Sequence, residues 1–488
     1  MPGKLPQDMR EWPPYLHAEP APLPAREWHQ TRHQELASLD SLGPWQVAAV
    51  AYHEAWLRAL DAPGDPAAAI PVSVVIPAYN PGRFLQEALA SSLAQTHPRI
   101  EIVIVDDGSD PAVAGTLGDL ARQVRLVRQD NAGAAAARNR GIAEATGVLV
   151  HFLDADDYLR PDCIAEKIRA LELVPDADLV FADYNVVGEH ERSAAADHRR
   201  PPIGDEFCPS RGLLRAASRR FVFNVTTVLA ARWMLLAAGP MPADLRMGED
   251  GRYWFQLGMY GAKAIGVDLP LSTRRLRFEG LSSRRHDLLH WWAMVALLNA
   301  ADLLAAPEHW RHFASQLARF RHKEIWALVC DPSESRLDAA RHRFVSAIDD
   351  LPDVAGGAGR SVRPLLAIMR QFTKRAAAQD GGDTPFVGDL AGAVERLADA
   401  ANPMTRADLD PWLDGALSPR ERVFNAPATG AAARWLSSQL ASGRRPVSRD
   451  ELAALAAAWP ELEWSRRWAA TARRRRGWRK YEVPRTEW

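Results

Sequence analysis

Cysteine is scarce in this chain. Its 488 residues hold three, Cys163, Cys208 and Cys330, far apart and without the paired spacing of a metal site. A disulfide scaffold is excluded, and free thiols in a reducing compartment are expected. Long apolar runs are also missing. No stretch approaches the roughly 18 apolar residues of a membrane span. The nearest candidate, 291–306, is broken by Asn299 and Asp302 and reads as a core helix. The first residues carry acids and prolines where a secretory leader would be apolar. Nor is there a charge of one sign: 60 basic residues face 61 acidic ones, a net charge of −1, so no global charge draws the chain to nucleic acid or a membrane. A glycine-rich dinucleotide fingerprint is absent as well. The first strand leads into Ile76-Pro77-Ala78-Tyr79-Asn80-Pro81-Gly82, with no second or third glycine behind it. What remains has the composition of a cytoplasmic globular protein, with 47% hydrophobic residues to supply a large core and length for about three domains.

Three regions differ in pattern. Residues 1–69 form an N-terminal extension. Its first 40 residues, rich in Pro, Trp and charge, are expected to be extended, and 41–60 has helical spacing. Residues 61–69 read as a linker. From 70 to 287 strands alternate with helices: strands at 72–76, 100–105, 124–127, 148–153 and 179–181, and helices at 84–95, 112–122, 134–145 and 162–175. Such alternation builds βαβ units on a mostly parallel sheet, with the strand ends on one edge. Residues 186–220 are polar and are expected to loop over that edge. Residues 264–267 read as an edge strand. From 288 to 488 the pattern is helical only, with a break expected near 353–362 that would divide it into two subdomains.

The centre of the argument is residues 148–157, Val-Leu-Val-His-Phe-Leu-Asp-Ala-Asp-Asp. An apolar strand stops at three acids, Asp154, Asp156 and Asp157, where open α/β sheets bind ligands. Crowded carboxylates repel one another, and a hard divalent cation relieves this. The alternative is an acidic turn, with Asp157 capping the next helix. Three further stretches end predicted strands or open helices. Tyr79, beside Pro77 and Ala78, can lie against a flat base. Asp107, in Asp106-Asp107-Gly108-Ser109, can accept hydrogen bonds from a base or a ribose, unless Ser109 or Asp110 merely caps a helix. Arg138, in Ala137-Arg138-Asn139, can reach a diphosphate or be an ordinary surface arginine.

In their order and spacing these four stretches resemble the family 2 glycosyltransferases, over about residues 70–285. Gly248-Glu249-Asp250 is a fifth match. The resemblance implies a GT-A nucleotide-sugar-binding domain, α/β with a mixed, mostly parallel sheet, followed here by an all-α C-terminal region. It also implies an inverting, metal-dependent transfer of a sugar from a nucleotide-sugar, UDP-linked in the first instance. Asp156 would ligate Mn²⁺ or Mg²⁺ and Asp154 the ribose or a metal-bound water. Asp107, Tyr79, Pro77 and Ala78 would line the base pocket, and Arg138 would face the diphosphate. Asp250 would be the catalytic base, with Glu249 second in line. The chain departs from the pattern where the family commonly carries a histidine. Arg277 and Phe278 stand there, and the nearest histidine is His286. Arg274, Arg275, Arg277 and Arg284 can neutralise a diphosphate in its place, or form a solvated basic loop.

Three acceptor classes stay open: a glycan in surface polysaccharide assembly, a lipid-linked acceptor and a peptide. A catalytically inactive scaffold is the non-enzymatic alternative. The stretch Arg473–Arg476, Trp478, Arg479 and Lys480 suits a solvated helix end or peripheral contact with the inner face of a membrane. Nucleic acid is not expected, since no base-stacking module accompanies it. A homo-oligomer remains open.

Overall fold

The computed structural model describes residues 16–17, 23–188, 212–219, 223–277, 285–358, 362–379 and 383–400. The chain divides after Trp412 into two compact units, and every described residue belongs to the first. Cys208, Phe278, Arg284 and the arginine-rich stretch at 473–480 lie outside the described residues.

Among the described residues nine strands form one sheet: β1 (Leu16–His17), β2 (Val72–Ala78), β3 (Ile100–Asp107), β4 (Arg125–Gln129), β5 (Leu149–Phe152), β6 (Tyr158–Leu159), β7 (Leu179–Gly188), β8 (Val228–Ala231) and β9 (Ala264–Leu276). Their order is β1-β9-β7-β8-β5-β2-β3-β4, with β6 on β9. β2, β3, β4 and β5 run parallel, as do β7 and β9, while β8 is antiparallel to both neighbours. The sheet is therefore mixed and mostly parallel, as expected. The chain leaves β2 for β3 and β4 on one side, then returns to β5 on the other. That reversal leaves a crevice at the carboxyl ends of β2 and β5, where a ligand can sit.

The inner strands are apolar without alternation because helices cover both faces. Val74, Val75, Ile76, Val103, Ile104 and Val105 are fully buried. The helix Ala134–Glu144 rides close over β2 because Gly141 has no side chain. A Cβ there would stand 2.2 Å from Val75 Cγ1. That approach sets the depth of Arg138, one turn earlier. The buried apolar side chains form one continuous core running from Tyr52 through the sheet to Leu397.

Four local expectations are corrected. Residues 25–37 are a helix, not extended chain. Their polar sequence gives little helical periodicity. Tertiary contacts hold them instead: His29 stacks on Trp56 with ring centroids 5.4 Å apart, and its Nδ1 lies 2.9 Å from His53 Nδ1. The segment 264–267 is not an edge strand, because β9 continues to Leu276 between β1 and β7. The polar residues from 186 begin with the end of β7, and 213–219 form a helix; 189–211 lie outside the described residues. The helix expected over 112–122 stops at Leu117. Gly118, with φ of 55°, turns the chain into a 3₁₀ segment. Beyond 285 the described structure is helical throughout. Helix Leu351–Ala358 spans part of the stretch where a break was expected. No described helix is long and apolar enough to cross a membrane.

Candidate active site

The carboxyl ends of β2, β3 and β5 open onto a cleft of about 1730 Å³. Single-ligand pockets run to about 1,000 Å³, so this one has room for two substrates. Pro77, Ala78, Tyr79, Asp107, Arg138, Asp154, Asp156, Glu249 and Asp250 all line it. The structure thus brings these nine residues together, across 174 positions of chain from Pro77 to Asp250.

The first two loops are laced to each other. Asn80, with φ of 44°, donates its N–H to Ser109 Oγ at 3.0 Å, and Asp110 N–H donates to Asn80 Oδ1 at 2.9 Å. Ser109 is therefore no helix cap. Asp106 takes that role, accepting from Ser109 N at 2.8 Å, from Val113 N at 3.1 Å and from Arg128 Nη1 at 2.7 Å. Burial pushes its carboxyl up, but these donors together hold it below the usual carboxylate range. Asp107 faces the cleft with its oxygens on the next loop. It accepts from Gln129 Nε2 at 2.8 Å, Ala132 N at 2.9 Å and Gly133 N at 2.9 Å. Its carboxylate thus shapes the wall of the pocket as well as facing it. Tyr79 stands at the lip, 57% exposed.

The three acids after β5 have different surroundings. Asp157 is buried. It accepts from Thr226 Oγ1 at 2.8 Å and from Arg275 N at 2.9 Å, so it clasps β9 to the acid loop rather than capping a helix. Asp154 and Asp156 face the cleft. Burial, then the charge of Asp154, pushes the Asp156 carboxyl up to about 6, and Arg277 pulls the other way from 3.9 Å. A cation between such a pair is favoured, since it removes the repulsion that raises that value. Among the described residues no third His, Cys, Asp or Glu completes a protein-only cage. The set instead suits an ion held by one or two carboxylates and completed by substrate phosphates, as Mg²⁺ often is.

Arg138 is no surface arginine. Its side chain is 5% exposed, and its Nη2 reaches Asp154 Oδ1 at 2.7 Å while Nη1 reaches Glu249 Oε1 at 2.9 Å. It joins the acid loop to the helix Glu249–Met259. That helix begins at Gly248, whose φ of 74° places the first turn against the cleft. Asp250 follows, its Oδ1 accepting from Gly251 N at 2.8 Å. Burial, then Glu249, pushes the Asp250 carboxyl up to about 8, against the pull of Arg138. A carboxylate of that basicity is suited to take a proton from a hydroxyl near neutral pH.

Of the arginines expected to face a diphosphate, Arg275 is engaged elsewhere. Its Nη2 reaches Glu87 Oε2 at 2.5 Å and its Nε reaches Asp156 O at 3.2 Å. The guanidinium lies 4.9 Å from the centre of the Phe84 ring. It braces the acid loop. Arg274 and Arg277 line the cleft. The sequence singles out none of the residues of the far wall. Trp292, Val295, Arg319, His322 and Ile325, all from the helical region, close the cleft beside Gly248. A Cβ on Gly248 would lie 3.5 Å from Val295 Cγ2. Nothing in their spacing announces this: Trp292 and Val295 lie on a helix that is apolar nearly all round, and Arg319 and His322 at a 3₁₀ turn.

The model of the family described as Glycosyl transferase family 2 matches residues 73–220. EpsH of Bacillus subtilis, named as a glycosyltransferase, is 34% identical over 282 residues, covering 56% of this chain and 80% of that protein. The chain belongs to glycosyltransferase family 2. A Nostoc protein also named as a glycosyltransferase is 32% identical over 188 residues, 34% of this chain and 57% of that protein's length. Among solved structures, S. aureus TarS 1–349 in complex with UDP-GlcNAc has 18% identity and a TM-score of 0.46, covering 69% of this chain and 93% of that one. With its mixed sheet, this glycosyltransferase has the family's GT-A fold, extended by a helical C-terminal region.

Proposed function

We propose that this glycosyltransferase moves a sugar from a nucleoside diphosphate donor, UDP-linked, to an acceptor hydroxyl with inversion at the anomeric carbon. One observation carries the reading. Arg138 ties the Asp154 carboxylate of the sheet edge to Glu249 at the start of the helix that bears Asp250, so donor-side and acceptor-side acids face one cleft. Asp107 and Tyr79, with Pro77 and Ala78, form the wall for the nucleoside. Asp156, with Asp154 beside it, would hold Mn²⁺ or Mg²⁺, and such an ion stabilises charge developing on a leaving diphosphate. Arg274 and Arg277 add fixed positive charge at the same end of the cleft. Asp250 takes the proton of the acceptor hydroxyl as it attacks, with Glu249 orienting Arg138 and raising the basicity of Asp250. Direct attack by the acceptor inverts the anomeric centre. Asp156 and Asp250 facing one cleft favours an active enzyme over an inactive scaffold.

Calorimetric titration of the full chain with UDP, GDP, CDP and dTDP, each with and without Mn²⁺, tests the donor side. Metal-dependent binding of UDP is expected. Binding of none of the four would sink the reading.

A further inference from the structure

The helical wall carries a cation that no carboxylate answers. Arg319 lies on the turn Ala318–Arg321, lines the cleft and donates through Nη2 to Ala217 O. Its Nε is buried without a hydrogen-bond partner. Among the described residues no Asp or Glu forms an ion pair with it. The two buried arginines of the cleft are paired, Arg138 with two carboxylates and Arg275 with Glu87. Burial pulls the Arg319 guanidinium down to about 10, the reverse of what an ion pair does. A half-buried guanidinium on the cleft wall, with no carboxylate paired to it among the described residues, is a position that can receive an oxyanion.

Its neighbours say what carries that anion. Trp292 is 38% exposed on the same wall, an open aromatic face of the kind that packs against the apolar side of a sugar ring. His322 adds a donor on that wall, and Arg246 and Asp244 also line the cleft. The helix that bears Trp292 packs on Gly248, next to Asp250. Arg319 is held in place by helix Leu213–Arg219, to which Ala217 belongs. That helix packs closely on Gly258, where a Cβ would lie 2.6 Å from Leu214 Cα.

Resting on the transferase reading above, we infer that the acceptor is a negatively charged saccharide, whose carboxylate or phosphate binds Arg319 while its ring packs on Trp292. A neutral sugar or an uncharged peptide would leave the guanidinium without an anionic partner, so the site discriminates against both.

The test uses the full chain saturated with UDP and Mn²⁺, so that the donor-side arginines are covered. It is titrated with methyl glucoside, methyl glucuronide and glucose 6-phosphate, with binding read by saturation-transfer NMR and calorimetry. One or both charged sugars should bind about tenfold more tightly than the neutral one, the size of one charge-assisted hydrogen bond pair. The carboxylate and phosphate arms then distinguish the two sources of the anion. Arg319→Gln should remove the preference, Arg319→Lys should keep most of it, and Trp292→Ala should weaken all three sugars together. Equal binding of the three sugars, no measurable binding, or a preference that survives Arg319→Gln would overturn the inference. UDP titration of each sample shows whether the donor end is intact. Should UDP itself fail to bind, the donor reading falls. The sugar titration then runs on the unliganded protein and still decides this one.

Discussion

Asp250→Asn should make the protein more stable and less active at once. In the folded chain the Asp250 carboxyl is pushed from 3.8 up to about 8, first by burial and then by Glu249. Between those two values the folded state keeps a proton that the unfolded chain has released. Stability therefore falls as pH rises from about 4 to about 8, and levels off above. Each unit is worth ~1.4 kcal/mol, so the full gap sets an upper bound on the order of 6 kcal/mol. Asparagine has the same shape and no proton to lose, so the variant escapes this decline. Near pH 4 the two proteins should unfold together. At pH 8.5 the variant should be the more stable, by part of that bound. Its turnover should fall about 10³-fold, because the amide cannot accept a proton from the acceptor hydroxyl. In the wild type, kcat/KM should climb with pH toward about 8, and the residual activity of the variant should lack that limb. Thermal unfolding from pH 4 to 9 and initial rates of nucleotide release measure both halves. Parallel stability curves would show that Asp250 is not buried and raised as described. Turnover within tenfold of wild type would remove it as the base.

Two further outcomes follow from the acids around it. Arg138→Leu strands Asp154 and Glu249 without their common partner, so chemical denaturation should show a loss of about 3 kcal/mol. The acidic limb of its rate should also move to higher pH, since Arg138 holds the Asp250 value down; an unmoved limb would dissociate the two residues. Asp156 sits near 6, so Mn²⁺-dependent UDP affinity should weaken as pH drops through that value. In Asp156→Asn, UDP affinity should no longer depend on Mn²⁺ at any pH, and metal dependence retained in this variant would place the ion elsewhere.

Much of this glycosyltransferase could be read directly. An inner strand buried on both faces must be apolar along its length, which is why β2, β3 and β5 stood out as unbroken Val/Ile/Leu runs. Their carboxyl ends then had to share an edge, because right-handed crossovers leave no other arrangement. That logic located Tyr79, Asp107, Asp154 and Asp156 before any coordinates. What the sequence could not show was which charges meet. Arg138 looked like a surface residue or a phosphate ligand, and Ser109 like a helix cap. Only the close approach of the helix at Gly141 lowers Arg138 between Asp154 and Glu249. Only the register of β9 brings Arg275 N to Asp157. The helix at Ala25–Ala37 was hidden for a related reason: a polar helix held by a His29–His53 pair and a stacked Trp56 has no periodicity to read. The wall of Trp292 and Arg319 was hidden most completely. A strand's address on a sheet edge follows from local pattern, whereas the meeting of a distant helix with that edge depends on how whole elements pack. Chain order and hydrophobic period thus determined the sheet and its acids. Tertiary packing alone decided the pairing of buried charges, and it set the Arg319 guanidinium on the cleft wall without a carboxylate partner among the described residues.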